Sequence, residues 1–113
     1  MIGFLAALSA ALAIAAGAFG AHGASSPQAA EWLRTGGLYQ LIHAVAAIAL
    51  MQGGLVQAAR MPALLMLVGA AIFAFTLYAM ALGAPRWFGA ITPIGGTLLI
   101  VAWLWAAWGY WRA

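Results

Sequence analysis

The sequence predicts an all-α membrane protein, a bundle of four transmembrane helices with a short interfacial helix between the first and second. Two observations predict it. Hydrophobic residues fill 68% of the 113 positions and charged residues 4%, with a mean hydropathy of +1.09, whereas a soluble domain is about a quarter charged. Five charged side chains cannot clothe a water-facing surface. Those five are Glu31, Arg34, Arg60, Arg86 and Arg112, and the arginines recur every 26 residues. Segments 1–21, 35–59, 61–85 and 87–111 contain no Lys, Arg, Asp or Glu. A bilayer core about 30 Å thick takes about 20 apolar residues at 1.5 Å each, so four spans fit. Residues 1–113 read as one membrane domain with the lipid bilayer as its first partner.

Helix 1 is expected over about residues 2–21. It has no basic leader and is longer than the apolar core of a secretory signal, so it reads as a retained helix. Its small residues Ala6, Ala10, Ala13 and Gly17 repeat every three or four positions. Such a stripe lets helix backbones approach closely in lipid, and it is expected to face the bundle. The interfacial segment is expected over about 26–35, with Ser26 capping and Pro27 at the first helical position. Glu31 and Arg34 stand three apart on it. Helix 2 is expected over about 37–57, ending near Gly53 and Gly54, and helix 3 over about 62–82, with Pro62 in its first turn and Gly83, Ala84 and Pro85 as its break. Helix 4 opens at Thr92 and Pro93 and runs to about 111. Gly95 and Gly96 near its start are expected to pack closely against a neighbour.

Alternating spans put the first and third connections on one side, here the loop face, and both termini with the second connection on the other, the terminal face. Trp32 and Trp87 then mark the loop face, and Trp108, Tyr110 and Trp111 the terminal face, as aromatic residues at headgroup level do. Trp103 and Trp105 lie deeper, where each indole N–H needs a partner. Two arginines fall on each side, so the positive-inside count is tied, and the N-terminal amine tips it slightly toward cytoplasmic termini.

The basic balance, a formal net charge of +3, comes from scattered arginines with no basic run, so no nucleic acid is expected as a partner. The absence of cysteine excludes disulfides, thiolate metal sites and thiol nucleophiles. Ser9 has no base nearby in sequence, and no serine sits in a GxSxG elbow. No metal and no cofactor are expected.

Four stretches carry a resemblance. They are Gly17-Ala18-Phe19-Gly20-Ala21-His22-Gly23; Trp32-Leu33-Arg34-Thr35-Gly36-Gly37-Leu38-Tyr39-Gln40 with His43-Ala44; Gly89-Ala90-Ile91-Thr92-Pro93-Ile94-Gly95-Gly96; and the tryptophan-rich last helix. Together they resemble the small membrane proteins of domain-of-unknown-function family 423, which includes bacterial inner-membrane proteins and the animal transmembrane protein 256. The resemblance implies a four-helix protein of the bacterial inner membrane with no established activity and no catalytic residues to carry over. Gly36 and Gly37 stand where that family often has a hydrophobic residue or alanine, and are expected to loosen the start of helix 2.

The candidate site is a polar cluster in the loop-face leaflet comprising His22, Glu31, Tyr39, Gln40, His43 and Thr92. With helix 2 starting at 37, His43 lies about 10 Å inside it. Ionisable groups within a membrane invite a functional reading, and the bland reading is that they only tie helices together. Tyr39 reads as an interfacial anchor, and His22 as a group that binds the last carbonyls of helix 1. The function these residues favour is non-enzymatic. The protein is expected to act by helix packing, as a homo-oligomer or as an accessory subunit beside another membrane protein. The alternative is a transport or small-ligand site for a lipid, quinone or proton, lined by His22, Glu31, Gln40 and His43.

Overall fold

Four helices account for nearly every residue of the computed structural model, which describes residues 1–53 and 56–112. They are α1 (Ile2–His22), α2 (Pro27–Gln52), α3 (Val56–Ala81) and α4 (Thr92–Arg112). All four are long and apolar enough to cross a bilayer. The molecule is 47 Å long and 25 by 19 Å across, so its ends project beyond a hydrocarbon core of about 30 Å.

Two expectations about the elements are corrected. No separate interfacial helix exists, because residues 26–35 begin α2 itself. Ser26 caps it, its hydroxyl accepting from Ala29 N–H at 3.0 Å, and Pro27 follows at the first position. From there α2 continues without interruption through Gly36 and Gly37 to Gln52, where Gly53 ends it. The glycines do not loosen the helix, because both are covered by neighbours. A Cβ on Gly36 would stand 2.7 Å from the Tyr78 ring, and one on Gly37 would stand 3.0 Å from the Ala13 carbonyl oxygen. They are contact points for α3 and α1. The first connection therefore shrinks to the four residues from Gly23 to Ser26.

The second correction concerns α3, which starts at Val56 and not at Pro62, so that Gln57 belongs to it and not to helix 2. Gly54, expected near the end of helix 2, lies outside the described residues. Pro62 sits inside the helix and removes the bond that its nitrogen would give to the Ala58 carbonyl. Ala58 is exposed near the terminal face, where water and headgroups can satisfy that carbonyl. After Ala81, Gly83 turns the chain with φ of +107°, and a 3₁₀ turn over Arg86–Ala90, which the sequence reading did not anticipate, leads into α4.

The helices pack in chain order, α1 on α2, α2 on α3 and α3 on α4, with a slight contact between α1 and α3. Among the described residues no Cα of α4 comes within 8 Å of one in α1 or α2. The core is built on alanine. Ala6, Ala47, Ala63 and Ala102 surround Met66 toward the terminal face, while Ala29, Leu33 and Ala81 form a smaller cluster near the loop face. Small side chains bring the backbones close, which maximises dispersion contact where lipid and protein are equally apolar. The stripe on α1 is used in this way. Ala6 and Ala13 are buried, and Ala10 and Gly17 half-buried.

Gly95 makes the tightest approach. A Cβ there would lie 2.6 Å from the Gly69 carbonyl oxygen and 2.9 Å from Phe73 Cα. Gly96 differs, because a Cβ would meet only the Phe73 ring at 3.7 Å.

Candidate functional site

Between the two apolar clusters the helices are joined by three polar ties. Gln40 is 1% exposed and lies on the side of α2 that faces both α1 and α3. Its amide nitrogen donates to Ser9 Oγ on α1 at 3.0 Å, and its carbonyl oxygen accepts from the Tyr78 hydroxyl on α3 at 2.7 Å. One side chain thus holds three helices. The missing side chains of Gly36 and Gly37, one turn earlier on α2, leave the room that lets Tyr78 and α1 come this close.

The second tie is centred on His43, which is 6% exposed. Trp103 Nε1 on α4 donates to His43 Nε2 at 3.0 Å, and His43 Nδ1 lies 2.6 Å from the Tyr39 carbonyl oxygen. An indole N–H only donates, so Nε2 is the acceptor and the ring proton sits on Nδ1, where it is given to Tyr39. Both ring nitrogens are occupied. The Tyr39 ring, itself 42% exposed, packs on Phe73 with centroids 4.6 Å apart, while its backbone orients His43. Trp103 bridges the gap between α4 and α2, whose backbones do not meet.

The third tie joins α3 to α4. Thr76 Oγ1 lies 2.9 Å from the Ile72 carbonyl oxygen and 2.6 Å from Thr92 Oγ1. Each hydroxyl has one proton. Either can donate to the other, since Thr76 has the Ile72 carbonyl and Thr92 the Phe88 carbonyl, at 3.4 Å, as a second partner. No buried side-chain nitrogen or oxygen among the described residues lacks a hydrogen-bond partner.

Along α2, His43 is nine residues, about 14 Å of helix, from Arg34 and as many from Gln52.

The predicted cluster divides. Tyr39, Gln40, His43 and Thr92 belong to the interhelical ties. His22 and Glu31 are exposed at the loop face. Glu31 pairs with Arg34 on its own helix, and it is twelve residues, about 18 Å of helix, from His43. At the end of α1 the Phe19 carbonyl accepts from Gly23 N–H at 2.7 Å, with His22 in the last turn. Among the described residues no three His, Cys, Asp or Glu side chains converge as a metal site would require.

Four members of the ties fall outside the predicted cluster, Ser9, Thr76, Tyr78 and Trp103. Each carried a signal in the sequence. A lone hydroxyl within an apolar span and an indole at mid-depth both require a partner. Nothing local in the sequence says which residue that partner is.

Comparison with known proteins places the chain among membrane proteins. Residues 16–96 match the family model described as "Protein of unknown function (DUF423)". The chain is 38% identical to a UPF0382 membrane protein of Haemophilus influenzae, over 96% of this chain and 92% of that one. It is 39% identical to a UPF0382 membrane protein of Staphylococcus saprophyticus, over 88% of each. It is 33% identical to the UPF0382 inner membrane protein YgdD of Escherichia coli K12, over 87% of this chain and 79% of that one. No solved structure matches the chain significantly.

Proposed function

The chain belongs to the DUF423 family of membrane proteins, and from that premise we propose that it is a non-catalytic module of the bacterial inner membrane that acts by helix packing, as a homo-oligomer or as an accessory subunit of a larger membrane complex. One observation carries this reading, that every buried side-chain nitrogen and oxygen among the described residues has at least one hydrogen-bond partner within the protein. A proton relay or a reaction centre keeps a titratable group poised for transfer, whereas the His43 ring is engaged at both nitrogens. His22 and Glu31, the other ionisable members of the expected cluster, lie at the surface, away from Gln40 and His43.

Two further features support it. The connections are short, so what the protein presents to its surroundings is largely the flanks of its helices. Those flanks are broad on α1 and α4, where Phe4, Ile14, Ile100 and Leu104 are each more than half exposed.

Mass measurement of the protein extracted in mild detergent tests the reading. The expected result is a mass above one copy, or a membrane protein co-purifying in fixed ratio. His43→Leu should insert and keep that mass. A strictly monomeric species without a companion counts against the proposal.

A further inference from the structure

Where α1 and α3 touch only slightly, a crevice of about 290 Å³ opens between them to the acyl chains. Its walls are apolar, Leu5, Leu8 and Leu12 from α1 and Leu64, Val68 and Phe75 from α3, and its floor is Ser9 with Gln40. The floor holds an unspent hydrogen bond. Ser9 Oγ accepts from the Gln40 amide, but among the described residues its own proton goes to no acceptor. Thr76 and Thr97, two of the four threonines, differ in having a carbonyl one turn back as acceptor, the usual resort of a hydroxyl inside a helix. The Gln40 amide carries a second N–H beside the one given to Ser9.

Depth decides what can use these donors. Ser9 is seven residues from Ile2 and thirteen from His22, so it lies about 10 Å inside one end of a helix that is about 31 Å long. Acyl tails at that level carry no acceptor, and the ester carbonyls of phospholipids stay at the hydrocarbon boundary. A ligand matched to the crevice is therefore hydrophobic along its length and carries a carbonyl that resides within the core.

We infer that the α1–α3 crevice is a binding site for a lipophilic carbonyl compound of the isoprenoid-quinone class, one ring carbonyl accepting from Ser9 and the tail lying between the leucines of α1 and Val68 and Phe75 of α3. The site is independent of the oligomeric reading above, since it lies within one copy of the chain.

Photolabelling tests it. The protein in phosphatidylcholine nanodiscs is irradiated with an azido-benzoquinone bearing a decyl tail, and labelled peptides are mapped by mass spectrometry. Labelling should concentrate on residues 5–12 and 64–75, and unlabelled decyl-benzoquinone should displace it about tenfold more effectively than decylbenzene, which lacks the carbonyls. Ser9→Ala should reduce that preference to twofold or less. Val68→Trp fills the crevice from a half-exposed position, leaves Ser9 and Gln40 in place, and should abolish the labelling. The inference is overturned if decylbenzene competes as well as the quinone, which makes the crevice an ordinary acyl-chain groove. It is equally overturned if the label spreads over Ile100 and Leu104 of α4 as strongly as over the crevice, or if Val68→Trp labels like the unaltered chain.

Discussion

At Gln40 the medium sets the energetics. In water an amide released from one partner finds another at once, but in hydrocarbon the alternatives are few, and interhelical hydrogen bonds there contribute about 0.6 kcal/mol each and up to about 1.7. Gln40 makes two, to Ser9 and to Tyr78. Gln40→Leu should therefore destabilise the bundle by about 1–2 kcal/mol, read as an earlier unfolding midpoint in a detergent-denaturation series followed by circular dichroism. Trp103→Phe removes one donor and leaves His43 Nε2 unpaired, so a loss of about 1 kcal/mol is expected in the same assay. No change in either variant would mean that these bonds do not hold the helices. The presence of buried polar residues was legible in the sequence, because they stand out in spans otherwise free of them. Their partners were not, because Ser9 and Gln40 are 31 positions apart and His43 and Trp103 are 60 apart, and only the packing brings such pairs together.

Among the elements, α1 and α4 were readable nearly to the residue, since α1 fills the uncharged stretch before His22 and α4 runs from a Thr-Pro start to Arg112. The misplaced boundaries share a cause. Gly36 and Gly37 depart from the pattern of the resembled family and are expected to loosen helix 2, and Pro62 is expected in the first turn of helix 3, because glycine loosens a helix in water and proline starts or stops one. Here α2 continues through Gly36 and Gly37 and uses them for close approach, and α3 continues through Pro62 because the carbonyl that proline frees lies near the terminal face, within reach of water and headgroups. The paired glycines at the start of α4 test this reading. Gly95→Ala drives a methyl group against the backbone of Gly69 and Phe73, and should lower stability by about 2 kcal/mol or more, as overpacking against an unyielding wall does. Gly96→Ala meets only an aromatic ring at ordinary contact distance and should be neutral, or slightly stabilising through helix propensity. Equal losses at the two positions would contradict the described α3–α4 contact.

For the molecule as a whole, the two-sided arrangement is open to a direct check because the sequence contains no cysteine. Single cysteines in place of Glu31 and Arg86 should react with an impermeant maleimide from one side of the membrane, and those in place of Gln52 and Arg112 from the other; any mixed pattern would break the four-span topology. The chain-order packing of the helices also bears on biogenesis. Each helix docks on the one made just before it, and α1 never waits for α4. Contacts close in sequence form early and with little loop entropy to overcome, so a nascent chain leaving the ribosome can settle hairpin by hairpin. The Gln40 clasp on Ser9 and Tyr78 closes once the third span has emerged. A chain terminated after Leu82 should therefore insert and hold a protease-resistant three-helix unit before the last span is ever translated.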